Sequence, residues 1–302
     1  MQAPGRIISA NGGRQNIFLQ GGKHMEYFVG KDSIVRRIWG KGDTILLIFA
    51  GASAEFALNK AVDWLYFTKR LPSDPLKRLF STVSYARQIV FAGRDDAMHA
   101  IDKISAIHKG VENERGKNIP DWAYRDVLFM LIDYSMRSYE LLERKLSTTE
   151  KEELVNVFYR MGSRMQIRDL PSSYQQWLVM RRSALHENLL NGDFTKDLYK
   201  QYRIHLGWFR FLILKQAQTL LVPGKVNELL NLGKNPFAAV MLNLYKLSRI
   251  IRINSALKNA ILPSAYKKEI AALDNPELKK HPSYRMDAFV AGSRIELPTL
   301  GL

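Results

Sequence analysis

No cysteine occurs in the 302 residues. Its absence excludes a disulfide framework, a thiolate-held metal and a cysteine nucleophile. Histidine is scarce, with six copies. None forms the paired-histidine motif of a zinc protease, since His186-Glu187 has no second histidine at the needed step. "FVGKDS" and "FAGAS" hold too little glycine to cradle a phosphate, and Gly51-Ala52-Ser53-Ala54-Glu55 only half-matches a nucleophile elbow. Convincing alternating strands and internal repeats are also missing. The opening "MQAPGRIISANGGRQ" lacks the apolar core of a signal peptide. Two apolar stretches invite a test as membrane spans. "TILLIFAGASAEFALNKAV" carries Glu55 and Lys60, and "LGWFRFLILKQAQTLLV" is short and carries Arg210 and Lys215. Both read as buried helices, so the expected location is the cytoplasm, with peripheral membrane contact.

What is present is apolar residues and positive charge. A hydrophobic content of 46% at this length supports one sizeable core. Lys and Arg outnumber Asp and Glu by 45 to 29, giving a net charge of +16. The cations are scattered in pairs such as Arg36-Arg37 and Arg181-Arg182. No helix-turn-helix, zinc-finger or RNA-recognition signature accompanies them, so no specific nucleic acid is expected. A solvated surface is the commoner meaning of such charge, and an anionic membrane or an acidic partner is the alternative.

Start and stop signals divide the chain into helices. Asp32 and Ser33 cap "IVRRIW", and Gly40 and Gly42 precede one long helix through Phe67. Asp74-Pro75 starts a helix that ends at Gly93. Asp95-Asp96 open the next, with a stop expected at Gly110 and a polar loop from Val111. Ser147 and Glu150 form a capping box, and Pro171-Ser172-Ser173 opens a further helix. The expected fold is all-α, a single globular helical domain over 30–262. An N-terminal extension (1–29) and a polar, proline-bearing tail (263–302) flank it.

One histidine stands out. Ala97, Ile101, Ile104, His108 and Val111 step by four, three, four and three, which is one side of an α-helix. His108 thus shares the face of the isoleucines, and His99 does not. On the preceding helix Arg78, Thr82, Tyr85 and Ile89 share a side, beside the apolar side of Leu79, Val83, Ala86 and Val90. Spacing alone leaves two readings. One is a core histidine bonded to a carbonyl with Arg78 in an ion pair, which is the commoner fate. The other is an imidazole, a guanidinium, a hydroxyl and a phenol around one apolar space.

"SDPLKRLFST" followed by "VFAGRDDAMHAIDKISAIHKGV" resembles the central signature of the rubber-oxygenase and MpaB-type haem oxygenase family. The similarity extends through "AYRDVLFMLIDYSMRSYELLERKLSTTEKEELVNVFYRMGSRMQIRDLPSSYQQW" and spans roughly Gly30 to Leu232. The resemblance implies a globin-like helical core around haem b. His108 matches the single iron ligand, and Arg78 and Thr82 match residues that line the haem. It also implies O2 and a lipophilic, isoprenoid-like alkene as reactants. An imidazole on an apolar wall suits axial ligation, and an arginine beside it suits a propionate. The chain departs from the family at three places. Ser105 stands where an arginine is common, "VLFMLI" (127–132) replaces a stretch with a second histidine, and Asp63 is the nearest carboxylate to the family's acid/base glutamate. The expected site is therefore His108 on iron, Arg78 and Thr82 at the haem, and Asp63 handling a proton. A different class of reading is a non-catalytic helical protein docked on an anionic membrane. It rests on "PFAAVMLNLYKLSRIIRINSALK", where Phe237, Met241, Leu244 and Ile251 share one side and Lys246, Arg249 and Arg252 another.

Overall fold

The computed structural model describes residues 26–67, 82, 85–234 and 236–250. Among these the architecture is all-α, with ten delimited helices, a further helical stretch over 85–91 and no strand beyond two isolated bridges. They form one helical domain.

The first helix, α1 (Ile34–Trp39), starts where Ser33 Oγ accepts from the Val35 N–H at 3.0 Å. Its Ile34, Val35, Ile38 and Trp39 are all buried. Each such side chain contributes about 1.5–3 kcal/mol. The central helix, α2 (Gly42–Leu58), is buried over most of its length. Its close neighbour is α5 (Asp121–Leu142). Gly51 permits that approach, because a Cβ there would overlap the Tyr134 ring. This packing duty, not a nucleophile elbow, accounts for the glycine.

The long helix expected through Phe67 is broken. It stops at Leu58, and α3 (Val62–Phe67) follows as a separate helix. Asn59 causes the break: its backbone is extended, and its side-chain Oδ1 accepts from the Ala61 N–H at 2.8 Å. Its Nδ2 donates to buried Asp126 at 2.7 Å. A side chain that satisfies the backbone locally competes with the helix.

The expected stop at Gly110 also moves. Helix α4 (Arg94–Arg115) runs through Gly110 and ends at Gly116, whose φ is +68°. The Lys117 N–H bonds back to the Glu112 carbonyl, which closes the left-handed cap. Gly110 costs about 1 kcal/mol of helix propensity, which the further bonded stretch to Arg115 offsets.

The remaining helices are α6 (Thr148–Arg164), α7 (Tyr174–Glu187), α8 (Asp193–Leu221), α9 (Gly224–Leu230) and α10 (Pro236–Ile250). The capping box at the start of α6 is complete: Glu150 N–H donates to Ser147 Oγ, and Ser147 N–H donates to Glu150 Oε2. Ser173 caps α7. Helix α8 kinks at Gly207, where φ is +73° and ψ +164°, a conformation only glycine adopts without strain. The tail from 263 and the expected start at Asp74-Pro75 lie outside the described residues.

Candidate functional site

The isoleucine stripe of α4 is buried at Ala97 and Ile101 and half-buried at Ile104, His108 and Val111. It therefore enters the core at its N-terminal end and emerges toward His108. The His108 ring meets Tyr124 of α5 edge-on, with centroids 5.1 Å apart. The Tyr124 hydroxyl donates to Glu112 Oε1 at 3.4 Å. Burial, then the Glu112 charge, raises the Tyr124 phenol well above its usual range. The hydroxyl thus stays protonated as a donor. Glu112 is itself buried and accepts from the Ile119 N–H at 2.8 Å and from Lys109 at 3.1 Å.

Asp63 comes to the same face of α4. Its Oδ2 accepts from Arg115 Nη2 at 2.8 Å. Arg115 lies seven residues after His108, two turns on and about 10 Å along the axis. The Arg115 guanidinium stacks over Trp64, 4.0 Å from the ring centre, and over Phe67. Two aromatics of α3 thus hold the pair in place. Ser105 turns its hydroxyl back to the Ile101 carbonyl at 3.2 Å. Thr82 is helical and exposed, Ile89 on its side is buried, and Ala86 and Val90 of the adjacent side are buried. Arg78 lies outside the described residues. Of the four expected site residues, the structure brings Asp63 and His108 to one helix face.

A second polar cluster was not expected. Arg181 of α7 is buried and donates to both oxygens of Glu55, at 2.5 and 2.6 Å. It also donates to Asp133 Oδ2 through Nε and Nη2. Tyr134 donates to Glu55 at 2.9 Å, and Arg137 donates to Asp133 at 2.6 Å. Burial lowers the Arg181 pKa, but the Glu55 and Asp133 charges outweigh it and raise the group above its usual value. Arg181 is therefore a permanent cation between two acids. Next to this cluster Asp126 accepts from Asn59 and from Asn188 at 2.9 Å. Desolvation pushes its carboxyl up to about 6, against the lowering effect of the two amides. The sequence signal was there: Glu55, Asp126, Asp133 and Arg181 interrupt apolar helices. Their mutual pairing was not visible, because it joins residues as far apart as 126 positions.

The two clusters differ in what they can do. The Arg181 cluster has spent its donors and acceptors on itself and braces α2, α5 and α7. The His108 end is half-open and joins one imidazole, a tyrosine and a carboxylate. Among the described residues no group of three or more His, Asp or Glu is placed to hold an ion. One imidazole on a partly apolar wall fits the donor set of a haem, which asks a single axial ligand of the protein. No helix among the described residues is long and apolar enough to cross a membrane. The amphipathic reading of α10 needs correction. Met241 is half-buried, Arg249 pairs with Asp43 and Glu143, and the outward apolar residues are Phe237, Val240, Leu244 and Leu247. Ile251 and Arg252 lie outside the described residues.

An all-α domain with a half-open imidazole on an amphipathic helix is the class defined by fold and site. Comparison with protein families is more specific: residues 36–253 match the model described as "ER-bound oxygenase mpaB/B'/Rubber oxygenase, catalytic domain". The chain belongs to that family. The matched span lies within residues 30–262. An oxygenase-family domain implies a small-molecule substrate and O2. Neither the curated proteins nor the solved structures include a match to this chain.

Proposed function

We propose that the protein is a haem b-dependent oxygenase acting with O2 on a lipophilic, isoprenoid-like alkene gathered at the surface of an anionic membrane. The observation that carries this reading is the position of His108 inside the family-matched span. It stands half-buried at the emerging end of an apolar stripe, where a flat hydrophobic group has a wall to lie on.

His108 would hold the iron through one ring nitrogen, with the Tyr124 edge limiting ring rotation. When bound, haem b supplies the redox chemistry that makes O2 reactive toward an alkene. Arg78, four residues before Thr82 in the sequence, would pair with a propionate, and Thr82 would hydrogen-bond beside it. Asp63 has one oxygen engaged by Arg115, and Oδ1 is the atom that would take and return a proton. The Arg115 contact, stacked on Trp64, orients that carboxylate.

The test is spectroscopic. Protein expressed with haem supplied should show a Soret band and give a pyridine haemochrome of the b type. His108→Ala should lose the haem, and His99→Ala, on an exposed side chain, should keep it. Equal haem in wild type and His108→Ala would remove the ligand assignment. A colourless wild type would remove the cofactor.

A further inference from the structure

Helix α10 turns its apolar stripe outward. Phe237, Val240, Leu244 and Leu247 step by three, four and three, so they share one face, and each is more than half exposed. Ala238 and Ser248, off that stripe, are both buried. Helix α8, which packs against α10, does the same around its kink. Ile204, Trp208 and Leu212 step by four and are all exposed, Trp208 by 71%. The break at Gly207 exposes Phe209 beside Trp208. Exposed apolar surface of this extent marks an interaction site.

Charge says what kind. From Leu198 to Ile250 there are eight Lys or Arg and a single acid, Glu228, a far steeper imbalance than the chain-wide 45 to 29. Lys225 engages Glu228, and Arg249 engages Asp43 and Glu143. Lys200, Arg203, Lys215 and Lys246 have no ion pair among the described residues. Aromatic and aliphatic side chains beside cations, with almost no acid, match the boundary between anionic headgroups and acyl chains. A second copy of the same face would set cation against cation, which disfavours self-association.

We propose that the outer faces of α8 and α10 dock the protein on an anionic phospholipid bilayer. Trp208 and Leu244 enter the headgroup–acyl boundary, and Lys200, Arg203 and Lys215 meet the lipid phosphates. The inference rests on the membrane part of the proposed function and uses none of the residues assigned to haem. Vesicle binding and haem content therefore fail separately.

The full chain would be sedimented with vesicles of phosphatidylcholine alone and of phosphatidylcholine with phosphatidylserine. Binding is expected to the mixed vesicles only, and to weaken as salt rises. Tryptophan emission should shift to the blue on binding, since Trp208 is exposed whereas Trp39 and Trp177 are buried. Trp208→Phe should remove most of that shift and leave sedimentation largely intact. Leu244→Asp should weaken binding about tenfold or more. Arg203→Gln should weaken it about fivefold. Arg203 is exposed, so its replacement keeps the test open should Leu244→Asp express poorly. Haem content should not change in any of the three variants. Equal binding to neutral and anionic vesicles, or binding untouched by both Leu244→Asp and Arg203→Gln, would overturn the proposal. So would a concentration-dependent dimer in sedimentation velocity that Leu244→Asp dissolves, which would assign the face to a second copy.

Discussion

Arg181 is buried and Trp208 is exposed, and each is the reverse of what its side chain prefers. Around Arg181 the exception is resolved inside the molecule. Two acids, a tyrosine and a second arginine satisfy one another, and three helices are tied together. Along α8 and α10 it stays on the surface: the apolar side chains face solvent, those of α8 beside cations. The difference separates two meanings of a misplaced residue. A buried charge with complete partners is architecture. An apolar stripe that stays exposed in the folded chain points outside it. The His108 end of α4 lies between these cases, half-covered and half-open.

The comparison breaks most sharply at Arg181. Arg181→Met leaves Glu55 buried without its cation and Asp133 with Arg137 alone, and such a change costs about 3–5 kcal/mol. Urea unfolding should show that loss, and adding Glu55→Gln should recover part of it. An unchanged midpoint would mean that the cluster does not brace the bundle.

Asp126 sharpens the same region by pH. Its folded pKa of about 6 lies above the ordinary 3.8, so the folded protein holds this proton more tightly than the unfolded chain. The stability it lends is complete below about pH 4 and is lost as pH rises through about 6. The loss is at most about 3 kcal/mol at neutral pH. Asp126→Asn keeps an acceptor for Asn59 and Asn188 but cannot ionise. Thermal melts should therefore show the variant gaining on wild type as pH rises across that window. A difference constant with pH would refute the buried titration.

The smallest effect is expected on the outer face. Leu247→Gln retains helix propensity and removes an exposed apolar group, so folding stability should change by less than about 0.5 kcal/mol. A loss of several times that amount in urea unfolding would show that the stripe is covered in the native fold.

The helix starts that carry a serine cap were legible because a cap is a local event. Ser33, Ser147 and Ser173 each bond a backbone N–H two or three residues ahead. The stops were less so. Gly110 carries the sequence signal of a stop, yet the bonded cap at Gly116 takes its place. Asn59 breaks a continuous apolar pattern because a partner 67 residues away, Asp126, holds its side chain. At the candidate site the shared face of Ile101, Ile104 and His108 followed from helical spacing. The link from Asp63 to Arg115 spans 52 positions and two helices, and no local pattern announces it.

By itself the sequence determined the all-α class, the helix starts capped by Ser33, Ser147 and Ser173, the face that carries His108 and the oxygenase family, since each depends on spacing of a few residues or on ordered motifs. Only the tertiary structure decided which charges meet inside, that Gly51 serves Tyr134, that Asp63 is tied to the His108 face, and that α10 turns its apolar side out. These depend on which helix lies against which, and that is set by the packing of the whole core and not by any one segment.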